Sequence, residues 1–187
     1  MTRRSISVGI GAAGLAVAAT TALLAFGLPA QPVRMNEKAP ELTGKAWLNT
    51  DVPVRLSERR GLVTIVHFWT YGCINCKRNL PIYQRWHERF AAKQVAVIGV
   101  HSPEFEAEAV AANVARQTRL FHIEYPVLPD PGLVNWRRWN QQFWPTVYLI
   151  DRRGRIRYRW EGEMNYAHLE GERTMTTLIE QLLEETP

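Results

Sequence analysis

Only two of the 187 residues are cysteine. The chain therefore lacks the dense cross-links with which small exported domains replace a hydrophobic core. Five histidines, His67, His87, His101, His122 and His168, stand apart with no ligand spacing among them, and there is no second cysteine pair. A four-donor zinc site is thus short of ligands, and no metal is expected. No internal repeat occurs, nor any low-complexity tract beyond the N-terminal segment, so a solenoid or a disordered tail is not the organising theme. Charge is missing from one place only: nothing ionisable separates Arg4 from Arg34.

What is present fits a globular domain. Hydrophobic residues make up 46% and charged residues 22% of the chain, enough apolar material for a core at this length. The 23 basic and 18 acidic residues leave a net charge of +5. Much of that excess lies in residues 151–160, DRRGRIRYRW, where Arg155, Arg157 and Arg159 alternate with Ile156, Tyr158 and Trp160. Alternation of this kind describes a strand with one apolar and one solvated basic face, not a nucleic-acid surface.

The uncharged N-terminal stretch supports two readings. As a helix, residues 6–28 would be about 34 Å long at ~1.5 Å per residue, enough to cross a bilayer core. Such a helix would anchor the chain in the membrane. Alternatively, residues 1–30 are a signal sequence, with Ala25-Phe26-Gly27 as the small-x-small cleavage site, and the protein is secreted. Either reading, with Arg3 and Arg4 on the cytoplasmic side, places the folded part outside the cytoplasm, on the periplasmic side.

Residues 31–40 read as a linker and residues 41–187 as one domain. Within it, residues 47–56 suggest a hairpin turning at Asn49-Thr50-Asp51. The run LVTIVHFW (residues 62–69) is apolar on both faces, as a central strand requires. Ile82, Trp86 and Phe90 then recur at helical spacing, and VAVIGV (residues 95–100) is a second buried strand. Strand, helix and strand make a βαβ unit with parallel strands. Ser102-Pro103-Glu104 has the chemistry of a helix start, predicting a helix to about Arg119. A short strand at 125–128, a capped helix after Asp130-Pro131, strands at 146–151 and up to Trp160, and a closing helix around Leu178, Ile179 and Leu182 complete an α/β domain. Its mixed central sheet is flanked by helices and preceded by the N-terminal hydrophobic helix.

Cys73 falls between a buried strand and the head of a helix. Free N–H groups and the helix dipole there favour an anion, lowering the thiol pKa and exposing a nucleophilic thiolate. Cys76, one turn on, is placed to attack a mixed disulfide and release a substrate. As a mere staple the pair would contribute little, because the loop it closes is tiny. A redox pair, half a metal site and an inert pair remain the readings of the residues themselves.

The segment FWTYGCINCKRNLP (residues 68–81) resembles the active-site segment of thioredoxin-like proteins, especially the exported TlpA-like group and the thioredoxin-like domain of DipZ proteins. KAPEL (38–42), VIGVHSPEF (97–105), YPVLPD (125–130) and FWPTVYLIDRRGRIRYRWEGE (143–163) extend the resemblance over most of the chain beyond the linker. The resemblance implies a thioredoxin-like fold and an extracytoplasmic thiol–disulfide oxidoreductase that exchanges disulfides with exported proteins. Cys73 would be the nucleophile and Cys76 the resolving thiol, with no cofactor beyond that disulfide. Pro145, after Trp144, would be a cis-proline facing the pair, and Pro81 would kink the active-site helix, although by sequence it serves equally as a helix end. Trp69, Tyr71 and Trp144 would form an apolar rim for substrate, or else belong to the core. A reducing role would need a membrane-bound redox partner.

Two positions depart from the family pattern. Thioredoxins keep a buried aspartate six residues before the first cysteine, where this chain has His67. TlpA-like reductases often carry a glutamate three residues after the second cysteine, and here it is Asn79. His67 is accordingly a candidate proton relay or a hydrogen-bonded core histidine, while Asn79 cannot titrate. Two other functions compete. A thiol peroxidase would use P-x-x-x-T-x-x-C, of which Thr70 fits but Val66 does not. A non-enzymatic copper-handling or interaction module would be expected to use CxxxC.

Overall fold

The computed structural model describes residues 35–186, so the N-terminal hydrophobic helix and its anchor or signal reading lie outside the described residues. Five strands form one mixed sheet in the order β3-β2-β1-β4-β5. β1 (Val63–Trp69) is its centre, with all seven residues buried, as its lack of polar alternation predicts. β2 (Val95–His101) runs parallel to it and β3 (Val127–Pro129) parallel to β2. On the other side β4 (Thr146–Ile150) is antiparallel to β1, and β5 (Ile156–Glu161) antiparallel to β4.

Two cores cover the two faces of this sheet. Val63, Ile65 and Trp69 point to the face packed by α1 (Ile74–Phe90) and α4 (Gly171–Glu184), through Ile82, Trp86, Phe90, Met175 and Ile179. Val66 and Phe68 point the other way, onto Leu42, Leu56, Trp139 and Ile156. The remaining α-helices among the described residues are α2 (Ala111–Leu120) and the short α3 (Val134–Arg138). Asp130 caps α3 by accepting the Asn135 and Trp136 N–H groups at 3.1 and 2.9 Å, in keeping with the cap chemistry of Asp130-Pro131.

Three local expectations are corrected. No hairpin forms over 47–56. Leu48 instead makes an isolated bridge to Val127, and the Asn49 amide donates to the Ile123 and Tyr125 carbonyls. Residues Leu56–Glu58 wind into a 3-10 turn whose Leu56 and Ser57 N–H groups are taken by the Glu41 carboxylate. The helix expected from Ser102 starts only at Ala111, after a 3-10 turn at Glu106–Ala109. The Glu104 and Phe105 N–H groups, which a helix would leave at its head, are bound by Glu108. Finally, the end of the expected linker is laid along β5: Asn36 donates to Ile156 O, and Ala39 to Gly154 O.

The basic strand is a solvated face whose charges are met locally. Arg157 reaches Asp151 and Glu185, and Arg159 reaches Glu161.

Candidate active site

Cys73 is the N-cap of α1 and half-buried, with extended backbone (φ −72, ψ 121). The sulfur therefore sits at the positive end of the helix dipole. The Cys73 thiol is lowered to about 6, first by the hydrogen bond from the Cys76 thiol and then by the Cys76 and Asn75 N–H groups, against a partial burial that raises it. Cys76 is fully buried. Burial drives its pKa up, and donating to Cys73 drives it further the same way. One thiol is held ready as an anion while its neighbour keeps the proton, the polarity a nucleophile and a resolving thiol require.

Facing the pair is the loop before β4. The Trp144–Pro145 peptide is cis, and the Trp144 carbonyl lies 3.9 Å from Cys73 Sγ. Trp144 is half-buried: its indole stacks on Trp136 at 3.8 Å and donates to the Ser102 carbonyl at 3.0 Å. Tyr71 is also half-buried, stacked on His101, with its hydroxyl donating to Ala107 O at 2.8 Å. Trp69 does not join this rim. Its side chain is 0% exposed and packs edge-on to His101 in the core. Both faces of β1 are covered, and position 69 shares with Val63 and Ile65 the face packed by α1 and α4. Exposed apolar side chains do flank the cysteine loop and the proline loop, as Ile74 and Phe143. Neither is among the rim residues expected from the sequence, although one lies within the CxxC and the other beside the Trp-Pro.

Pro81 sits inside α1, which continues to Phe90, so it is not a helix end. Arg78 is drawn to Glu163 at 3.0 Å.

His67 is completely buried, and neither ring nitrogen has a hydrogen-bond partner among the described residues. It stacks on Tyr83 with centroids 4.0 Å apart and meets Tyr125 edge-on. Burial pushes it down to about 3, leaving a neutral ring that touches neither cysteine by a hydrogen bond. The hydrogen-bonded core histidine is therefore corrected to a stacked one. Asn79 has a clear structural task. Its Oδ1 accepts the Met164 N–H and its Nδ2 donates to the Gly162 carbonyl, both at 3.0 Å, tying α1 to the segment after β5.

A buried carboxylate does bind the turn that carries Cys73, and it comes from a different segment. Glu108 is 3% exposed. One oxygen accepts the Gly72 N–H at 2.7 Å, and the other accepts Glu104 and Phe105 N–H groups at 2.7 and 3.1 Å. Burial raises its pKa, but the Thr70 hydroxyl and these N–H groups outweigh that and hold it below the usual value. His101 lies under the same turn, with Nε2 accepting the Tyr71 N–H at 3.3 Å. That bond needs a neutral ring protonated on Nδ1, and burial lowers His101 to about 4. The sequence signal for this cluster is HSPEFEAE (101–108), which has the chemistry of a helix start and, through VIGVHSPEF, carries part of the family resemblance, without assigning Glu108 to the site.

Comparison with known proteins agrees with this geometry. The family model described as AhpC/TSA family matches residues 35–159. Over 148 residues the chain is 39% identical to the protein DipZ of Mycobacterium bovis, covering 78% of this chain and 20% of that protein. The chain thus spans about a fifth of the length of the first curated relatives it matches. It is 27% identical over 143 residues to the thiol-disulfide oxidoreductase YkuV of Bacillus subtilis, covering 74% of this chain and 93% of YkuV. A DsbE-type structure from Chlorobium tepidum superposes with a TM-score of 0.69 at 22% identity, covering 81% of this chain and 99% of the other. The fold is thioredoxin-like, and the chain belongs to the AhpC/TSA family.

Proposed function

We propose that this chain is an extracytoplasmic thiol–disulfide oxidoreductase acting on exported proteins through Cys73 and Cys76. The observation that carries the reading is a lowered thiol at a helix head, 3.9 Å from the carbonyl of a cis Trp-Pro peptide, with a buried protonated thiol one turn behind it. In the reducing direction the Cys73 thiolate attacks a substrate disulfide. One new S–S bond forms, and the other substrate sulfur leaves as a thiolate. Cys76 then attacks Cys73, closing the Cys73–Cys76 disulfide and expelling the first substrate sulfur. Its proton passes to a departing thiolate, and two electrons have moved from the pair to the substrate. The oxidising direction is the same sequence reversed. Backbone next to Pro145 offers an edge on which an extended peptide can pair, with Trp144, Tyr71 and Ile74 as its apolar surround.

The name of YkuV supports the activity, and that of DipZ supports the branch. The uncharged residues 6–28 support export, with anchoring in the cytoplasmic membrane or cleavage as the two forms. In the anchored form the pair would be recharged by a membrane-bound redox partner. A peroxidase is less well supported, because the hydroxyl of Thr70 is turned to Glu108 and His101 beneath the turn. Expression of the full chain as Cys76→Ser in its native host tests the proposal. Exported proteins should accumulate on Cys73 as reducible mixed disulfides, and recovery of the variant with Cys73 free, or bound only to cytoplasmic proteins, would overturn it.

A further inference from the structure

We infer that Glu108 is a positioning residue of the disulfide exchange, setting Cys73 against the Trp144–Pro145 peptide through a single buried carboxylate; the inference rests on the thiol–disulfide reading above.

Glu108 binds the two sides of the site at once. Through Gly72 it holds the turn that carries Cys73. Through the Glu104 and Phe105 N–H groups it holds the loop after β2. That loop in turn carries the Ser102 carbonyl to which the Trp144 indole donates, and the Ser102 N–H donates back to Trp69 O at the end of β1. Cysteine turn, connecting loop and proline loop are thereby fastened to one another around the reacting sulfur.

The neighbouring sequence is fitted to this contact. A Cβ at Gly72 would lie 2.2 Å from Glu108 Oε1, so only glycine lets the carboxylate approach this close. An amide cannot replace it. A carboxylate offers acceptors on both oxygens, whereas glutamine turns an NH2 toward one of the two sets of N–H groups. Glu108 touches neither sulfur, and its effect is on alignment.

Alignment and thiolate chemistry separate by comparing two electrophiles on the full-length reduced protein. Iodoacetamide needs only a Cys73 thiolate. A synthetic peptide closed by one disulfide needs the thiolate and the correct approach along Pro145. The ratio of the two second-order rate constants cancels any change in thiolate fraction. Glu108→Gln should lower that ratio roughly tenfold, since small misplacements of reacting atoms carry penalties of this order or greater. Gly72→Ala pushes the same carboxylate off its seat from the other side and should lower it similarly, which guards against one variant failing to fold. A double variant, Gly72→Ala with Glu108→Ala, should be no worse than Gly72→Ala, as expected for one shared contact. A ratio within about twofold of the unmodified protein in either folded variant would overturn the positioning role. If the unmodified protein alkylates normally but leaves the peptide disulfide intact, the thiol–disulfide reading itself fails.

Discussion

Removing the Cys76 thiol should raise the Cys73 pKa by an amount that the site's hydrogen bonds define. The leading cause of the lowered value of about 6 is the S–H donated by Cys76, followed by the N–H groups of the helix head. A hydrogen bond to a charged acceptor is worth about 1.5–3 kcal/mol, which at ~1.36 kcal/mol per unit is roughly one to two pKa units. In Cys76→Ala the Cys73 midpoint should therefore move from about 6 to roughly 7–8. Because a raised pKa leaves less thiolate, iodoacetamide alkylation near pH 6 should slow by roughly 5- to 50-fold. Cys76→Ser keeps a donor at the same place and should hold most of the shift. The assay is the pH profile of alkylation, followed by mass spectrometry, on the reduced variants. Equal midpoints for the alanine and unmodified proteins would refute the thiol–thiolate hydrogen bond as the main cause, leaving the helix head to account for the shift.

Other consequences follow from the same geometry. The reduction potential should fall with pH by ~59 mV per unit below about pH 6, where both thiols are protonated, and by ~30 mV per unit above it, where only Cys76 carries a proton. Redox titrations at several pH values measure the break, and a single slope across that range would contradict it. Asn79→Ala should destabilise the reduced protein by about 1–3 kcal/mol in urea unfolding, because it strands the buried Met164 N–H. The Cys73 alkylation midpoint should not move. Gly171→Ala should also destabilise, by about 1–3 kcal/mol. Its Cβ would lie 2.5 Å from the Met164 carbonyl and 2.7 Å from the Trp160 ring, with Met164 backbone unable to yield as a side chain would.

Features governed by local pattern were legible in the sequence. The apolar run of β1, the periodicity of Ile82, Trp86 and Phe90, and the Cys73 position between them fix the strand–turn–helix unit, because burial and helix spacing act over neighbouring residues. The cis peptide at Pro145 was legible through the family resemblance. What escaped depends on contacts distant in sequence. Glu108 meets Gly72 across 36 residues, while its bonds to the Glu104 and Phe105 N–H groups keep SPEF from starting a helix despite its cap chemistry. Asn49 and Glu41 bind remote or neighbouring backbone in ways that dissolve an expected hairpin. Of the two places the sequence leaves open for Trp69, rim or core, the structure takes the core, because both faces of β1 are covered. His67 and Asn79 occupy slots where relatives keep carboxylates, and packing gives them other tasks: one stacks, the other ties two segments together.

The most direct measurement is the redox equilibrium of the full chain in buffers of defined glutathione or dithiothreitol potential, with free thiols counted by alkylation and mass. Cys73 and Cys76 should be lost and regained together in one two-electron transition of ~30 mV per tenfold ratio, at a potential between roughly −270 mV, where the pair would act as a reductant, and −120 mV, where it would act as an oxidant. Oxidation confined to Cys73, ending in a sulfenic acid with Cys76 still a thiol, would contradict disulfide exchange as the function of this site.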